Sequence, residues 1–401
     1  MSLMNILDNV ELENIYKTVL DLEGPRYPLD NMEQLNMTAD YIIKKFESYG
    51  IEVEVQEFYV LGFVEPFRNI IGIIGDKNTE ATIIGSHYDS VRNTPGANDN
   101  LSSVAVSLEV ARLLSTLDNP PSVRIAVFTL EECNPGFRLQ LERKMIEAGY
   151  YDRLGRYTSP IYKDYYQIIS KTLRAQGLSF FELPKVYKAA YEEIKVSQTK
   201  EVVNFFKVIY DTVLDYDSKE ESKTHYSKMG SFEYAKKIIE ENIKISKIIN
   251  MDTIGWIYTK ENTQKVLPFP KEMLNLIELY KTEHNSTIGN FICVIGEKNS
   301  SEILQTFLKS CKLSEIEIPY LGIDIPLNFK DIAKMVPDTL RSDHAPFWEI
   351  GVPGIFISDS ANFRSDFYHT GEDTYAHIDF YTLVKITKAV INTILNTSQG
   401  R

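Results

Sequence analysis

The feature that most constrains the fold is a set of short apolar runs, each leading into residues that can hold a metal. Ala81–Gly85 (ATIIG) runs into His87, Tyr88 and Asp89, and Val123–Leu130 (VRIAVFTL) ends at Glu131 and Glu132. Ser246–Gly255 (SKIINMDTIG) carries Asp252 near its end, and Gly354–Ser358 precedes the loop with His369. These runs, and Asn69–Gly75 (NIIGIIG), hardly alternate between apolar and polar residues. That is the pattern of interior strands covered on both faces. The segment 51–56 does alternate, as a half-exposed strand should.

Helical periods fill the intervals. Residues 8–23 and 30–49 read as amphipathic helices, the second with Leu35, Ala39, Ile42, Ile43 and Phe46 on one face and Gly50 as its stop. Leu101, Val104, Ala105, Leu108, Ala111 and Leu114 predict a helix over about 101–117. Further helices are predicted at 229–244, 270–285 and 299–312, a short one after His344, and a last one opened by Asp379 as N-cap. Strands are predicted at 289–296 and near 316–321. Alternating strands and helices make an α/β layered domain.

Residues 134–228 break this texture. Tyrosines recur at 150, 151, 157, 162, 165, 166, 187, 191, 210, 216 and 226, charges are dense, and no interior strand appears. We read the segment as a largely helical insertion that caps the sheet or serves as a lid or a dimer surface, within a catalytic domain made of 1–133 and 229–401. No internal repeat or low-complexity tract is present.

If the strands before residues 87, 132, 252 and 369 are parallel, all four groups converge on one crevice at the carboxyl edge of the sheet. Asp99, Glu132 and Asp252 bring three negative charges, and one hydroxide makes a fourth. That balances two divalent cations, with His87 and His369 as neutral donors. Without metal the carboxylates would repel one another and their pKa values would rise. Mixed imidazole and carboxylate donors suit zinc, with cobalt or manganese as substitutes, and are too rich in nitrogen for calcium. Where a strand gives way to a loop, one of two adjacent glutamates can bind metal while the other faces the metal's water. Asp89, two residues after His87, can accept the imidazole's second N–H.

At this point the chain resembles the M28 metallopeptidases, co-catalytic zinc exopeptidases that include bacterial leucyl-type aminopeptidases. The matching motifs are HYDS at 87–90, NDN at 98–100, TLEE at 129–132, MGS at 229–231, NMDTIG at 250–255, SDHAPFWEIGVPG at 342–354 and YHTGEDT at 368–374. The resemblance implies a three-layer α/β/α fold around a central mixed, mostly parallel sheet. It also implies that His87 and Asp252 hold one metal, Glu132 and His369 the other, and that Asp99 bridges them. Glu131 matches the general base and Asp89 the orienting aspartate. Asp343 is expected behind the ligands or as a helix cap, and His344 in a structural role or, failing that, behind the ligands or against substrate. The departure is the insertion, because the family usually joins the glutamate pair to the MGS helix by a short loop.

The implied activity is that of an aminopeptidase, hydrolysing N-terminal peptide bonds with a hydroxide held by two metals. Rival readings are a single-zinc enzyme like the glutaminyl cyclases, and a carboxypeptidase or small-amide hydrolase. In the latter Arg138, Arg143, Arg153, Arg156 or Arg174 would clamp a carboxylate. A non-catalytic scaffold would have lost ligands that this chain keeps. His225, His284 and His377 are expected at the surface, and Cys133 in packing.

The partner is therefore a peptide or small amide. A net charge of −13 argues against nucleic acid and anionic membranes. Three cysteines without a Cys-x-x-Cys pair fit a reducing compartment, and the first residues lack a basic end followed by an apolar core. A cytoplasmic location is the expectation.

Overall fold

The computed structural model describes residues 3–165, 183–219, 226–267 and 287–398. The predicted helix at 270–285, Tyr166, Arg174, His225 and His284 lie outside them.

The apolar runs pair into an eight-stranded sheet ordered β1-β2-β4-β3-β5-β8-β6-β7. In chain order these are Glu52–Phe58, Phe67–Ile74, Ala81–His87, Val123–Phe128, Ile245–Met251, Ile292–Gly296, Tyr320–Asp324 and Gly354–Ser358. The four strands that lead to the ligand-type residues, β4, β3, β5 and β8, are mutually parallel neighbours. The pairs β1–β2, β2–β4 and β6–β8 are antiparallel and β6–β7 is parallel, so the sheet is mixed.

Consecutive residues of the interior strands serve opposite layers. Ile70, Ile84, Ile125, Ile249 and Ile355 pack into the core beneath helices Leu12–Leu22, Met32–Ser48, Ser102–Leu114, Ser301–Cys311 and Phe380–Ser398. Their neighbours Ile71, Ile83, Ala126 and Ile248 face the other layer, with Tyr234 and Ile238 of helix Met229–Glu240 and Phe347 of helix Ala345–Glu349. Both faces are covered, which is why the runs lack a polar alternate. Asp379 caps the last helix as expected, its Oδ1 accepting from the N–H groups of Tyr381 and Thr382. The strand expected near 316–321 forms later, at Tyr320–Asp324.

Helix Ser102–Leu114 departs from its one-faced expectation, since every residue except Arg112 is buried. Helices Leu12–Leu22 and Phe380–Ser398 cover its outer side. Its one acid, Glu109, accepts from the Glu11 backbone N–H and pairs with Arg112 at 2.7 Å. A helix that is apolar nearly all round belongs inside the molecule.

Between residues 134 and 228 the structure describes helices Pro135–Glu147, Leu183–Ser197 and Lys200–Asp217, and a single antiparallel bridge between Tyr151 and Tyr157. They share a separate cluster around Phe137, Met145, Ile194, Phe205, Phe206 and Val213, ringed by tyrosines. The excursion begins and returns at one place. Asn134 N–H donates to the Tyr226 carbonyl at 2.9 Å, and Lys228 N–H to the Glu131 carbonyl at 2.8 Å. Among the described residues no helix is long and apolar enough to cross a membrane.

Candidate metal centre

Each ligand-type residue reaches the crevice by a different local device. His87 is the last residue of β3 and is 1% exposed. Beyond β4, Leu130 takes a left-handed turn (φ 56°) that presents Glu131 and Glu132. Their strand end is tied to the start of the helix at 229: Met229 N–H donates to Leu130 O at 2.9 Å and Gly230 N–H to Thr129 O at 3.1 Å. A side chain at Gly230 would put its Cβ 2.3 Å from the Thr129 carbonyl, so this approach requires glycine.

Asp89 is completely buried and does more than its sequence position predicts. Its Oδ1 lies 3.4 Å from His87 Nδ1. The same carboxylate accepts the backbone N–H groups of Glu131 (3.0 Å) and Glu132 (3.1 Å). One side chain thus sets the imidazole and the glutamate pair together.

Asp99 follows Gly96, which is left-handed at φ 66°. Its own N–H and that of Asn98 donate to the two oxygens of Asp373, at 3.1 and 2.8 Å. Asn98 Nδ2 donates to Asp359, and its Oδ1 accepts from Gly255 N–H. Asn100 donates to Met251 O and accepts from Thr253 N–H, on either side of Asp252. The 97–100 turn is thereby laced to the end of β5 and to the loop after His369. His369 is itself left-handed (φ 59°), with its ring stacked on Tyr368 at 3.7 Å. The Tyr368 hydroxyl accepts from Arg341 at 3.0 Å.

Asp99 lies between the two imidazoles. Its Oδ1 is 3.4 Å from His87 Nε2, and its Oδ2 is 3.1 Å from His369 Nε2. Asp252 Oδ1 stands 3.7 Å from His87 Nε2, and Glu132 Oε2 3.4 Å from His369 Nε2. Two donor trios result, His87–Asp99–Asp252 and Asp99–Glu132–His369, and they share Asp99. A third, His87–Glu131–Glu132, brings the other glutamate alongside.

The donor set fits a metal. Among the described residues neither ring nitrogen of buried His87 meets a partner within hydrogen-bond geometry, nor does Glu132 Oε1. Burial alone would lower both histidines, but the carboxylates overcome it: Asp252, Asp89 and Asp99 raise His87 well above its ordinary value, and Glu132 with Asp99 lift His369 to about 10. Burial, reinforced by Asp99, lifts Glu132 to about 7.

The remaining sequence-predicted residues separate. Asp343 sits buried at the edge of the cluster in no donor trio, hydrogen-bonded to Ser231, with its Oδ2 unpartnered. Burial first, then Asp89 and Asp252, raise it to about 7. His344 joins no trio either: its Nε2 donates to Thr339 O at 2.8 Å and its ring stacks on Phe356. His377 is half-buried against Phe367, and Cys133 is buried. Arg143 and Arg156 pair with Glu147 and Asp152 on the insertion. A pocket beside Asp99, Glu131 and Asp252 is walled by Leu267, Ile295, Val336, Phe356 and Phe363, and its arginine is Arg341. None of its lining comes from the described residues of 134–228. Sequence reasoning gave no part to Asp373, Asp359, Arg341 or Arg26. Asp373 alone stood inside a quoted motif.

Comparison with known proteins agrees with this geometry. The model of peptidase family M28 matches residues 69–139 and 326–394. The uncharacterized protein YfbL of Escherichia coli (strain K12) is 24% identical over 396 residues, spanning 96% of this chain and 88% of its own. Aminopeptidase YwaD of Bacillus subtilis (strain 168) is 43% identical over 68 residues, 16% of this chain and 15% of its own. The solved structure of the Legionella pneumophila LapA aminopeptidase superposes with a TM-score of 0.56 at 13% identity, covering 99% of this chain and 74% of that one, and so shares the fold. With the mixed sheet and the donor trios at its carboxyl edge, these matches show a metallopeptidase similar to peptidase family M28 over residues 69–139 and 326–394.

Proposed function

We propose that the protein is an aminopeptidase that uses two divalent metal ions, zinc in the first instance. The observation that carries this reading is the sharing of Asp99 between two donor trios, one oxygen toward each imidazole. His87 and Asp252 would hold one ion, Glu132 and His369 the other, with Asp99 between them. When bound, such ions supply Lewis acidity and bring the pKa of a shared water toward neutrality.

The chain's own residues do the rest. Asp89, 3.4 Å from His87 Nδ1, is placed to take the proton on that nitrogen when the ring binds metal, leaving Nε2 as the donor atom. Glu131, buried and beside the donors, accepts the proton of the attacking water and returns it to the leaving amine. The apolar pocket next to Glu131 suits an uncharged aliphatic or aromatic side chain on the residue being released. The aminopeptidase name of the relative YwaD supports the same reading.

The test is hydrolysis of a panel of aminoacyl anilides by the full chain, with metal content measured in parallel. Bound zinc near two equivalents, cleavage of apolar aminoacyl anilides, loss with chelator and recovery with zinc are expected. A single tightly held zinc, no anilide cleavage and cyclisation of N-terminal glutamine would replace this reading with the cyclase one.

A further inference from the structure

The loop that joins His87 to Asp99 closes around a buried cation. Arg26 is fully buried, and each of its side-chain hydrogen bonds goes to a backbone carbonyl. Nε donates to Tyr88 O at 2.7 Å, the residue after His87. Nη1 donates to Pro95 O at 2.7 Å, and Nη2 to Gly96 O at 2.9 Å, just before the turn that carries Asp99. Nη1 also reaches Gly24 O (2.5 Å) and Leu22 O (3.2 Å) at the end of helix Leu12–Leu22. The Arg26 backbone N–H donates to Ser90 Oγ at 3.0 Å, and Gly24 N–H adds a bond to Pro95 O. The contact admits no slack at Gly96, where a Cβ would fall 2.4 Å from Nη2.

We propose that Arg26 is a positioning residue for the metal centre, whose guanidinium ties together the two ends of the 88–96 loop and so fixes the distance between His87 and Asp99. A cation this buried is costly unless its charge is balanced. Among the described residues no carboxylate hydrogen-bonds it, and the charges that support it are Asp373, Asp89, Asp99 and Glu23. Asp99 is a ligand of the proposed centre, Asp89 orients a ligand, and Asp373 holds the backbone at Asp99. The arrangement therefore exchanges stabilisation between the cation and the ligand loop rather than merely fastening a helix to the sheet. Lysine cannot replace it, because one ammonium has three donors and no planar fork to span both loop ends.

The proposal rests on the two-metal reading, and the experiment separates the two. Zinc binding is measured by calorimetry on the chelator-stripped full chain, wild type and Arg26→Lys, alongside thermal unfolding with and without zinc. The expectation is that Arg26→Lys weakens zinc binding about 10-fold or more, the scale seen when groups that orient metal ligands are lost. It should also reduce the thermal shift that zinc produces, with turnover largely recovered at saturating zinc. Lowered thermal stability with unchanged zinc affinity would make Arg26 a structural fastener and overturn the proposal. A wild-type chain that takes up no zinc would overturn the two-metal reading itself. Should Arg26→Lys fail to fold, Ser90→Ala removes the acceptor of the Arg26 N–H together with the hydroxyl's bonds to Thr94 O and Val91 O inside the same loop. It should weaken zinc binding measurably, by about 2-fold or more on the same scale, and unchanged affinity there would equally overturn the proposal.

Discussion

Glu131 and Glu132 are neighbours of one residue type, yet their surroundings separate them. Glu132 faces His369 at 3.4 Å, whereas Glu131 belongs only to the trio around His87. Replacing Glu131 with Gln should lower kcat by about 10²–10⁴-fold while bound zinc stays at the wild-type level; a metal-replete variant with near-wild-type turnover would remove Glu131 as the base. His344 yields a prediction of a different kind. Burial lowers its folded pKa to about 3, from an ordinary 6.5. As pH falls through 6.5 the unfolded chain takes a proton that the folded chain refuses, so the stability tied to this residue is present above pH 6.5 and lost below it. Between pH 7 and 5 the loss amounts to about 2 kcal/mol. Urea unfolding at the two pH values should show stability changing less favourably on acidification in the wild type than in His344→Gln, by about 2 kcal/mol. At this scale the sequence displays donors well, because chemical type and position at a strand end are local facts. It does not display Arg26, Asp359 or Asp373, whose roles are hydrogen bonds to distant backbone with no periodicity behind them.

Among the elements, the strands were the most legible, since runs without polar alternates have few places to go except the middle of a covered sheet. The helix Ser102–Leu114 was legible in its position and not in its surroundings. Its periodic apolar face was evident, and Ser103 and Ser107, polar residues off that face, are buried as well. The measurable consequence falls on Leu113, outside that periodic face and 1% exposed. Leu113→Ala should cost about 2–5 kcal/mol in denaturant unfolding. Leu20, 44% exposed on helix Leu12–Leu22, should change stability by only about 0.5 kcal/mol on the same substitution. Equal effects would mean that the helix is not enclosed as described. Tyr320–Asp324 shows the opposite limit, because a short edge strand has too few buried residues to set its own ends.

For the molecule as a whole, the topology followed from the pattern of runs and the sheet order did not, because strand order depends on crossovers that leave no mark in composition. The segment 134–228 has its own apolar cluster, distinct from the core beneath the main helices. It touches the ligand loop from outside through Arg92, which pairs with Glu142 at 2.9 Å and with Asp30. Replacing residues 135–225 by a short Gly/Ser linker should therefore leave a chain that folds and takes up zinc, as circular dichroism and metal analysis would report; a variant that misfolds or stays metal-free would show that the sheet depends on the segment. The backbone contacts at residues 131, 134, 226 and 228 also bear on how such a protein changes over time. With its departure and return side by side, the excursion is a loop of thread knotted at its base and pinned again where Glu142 meets Arg92. Its length and composition can drift, generation by generation, without pulling on the residues that do the chemistry.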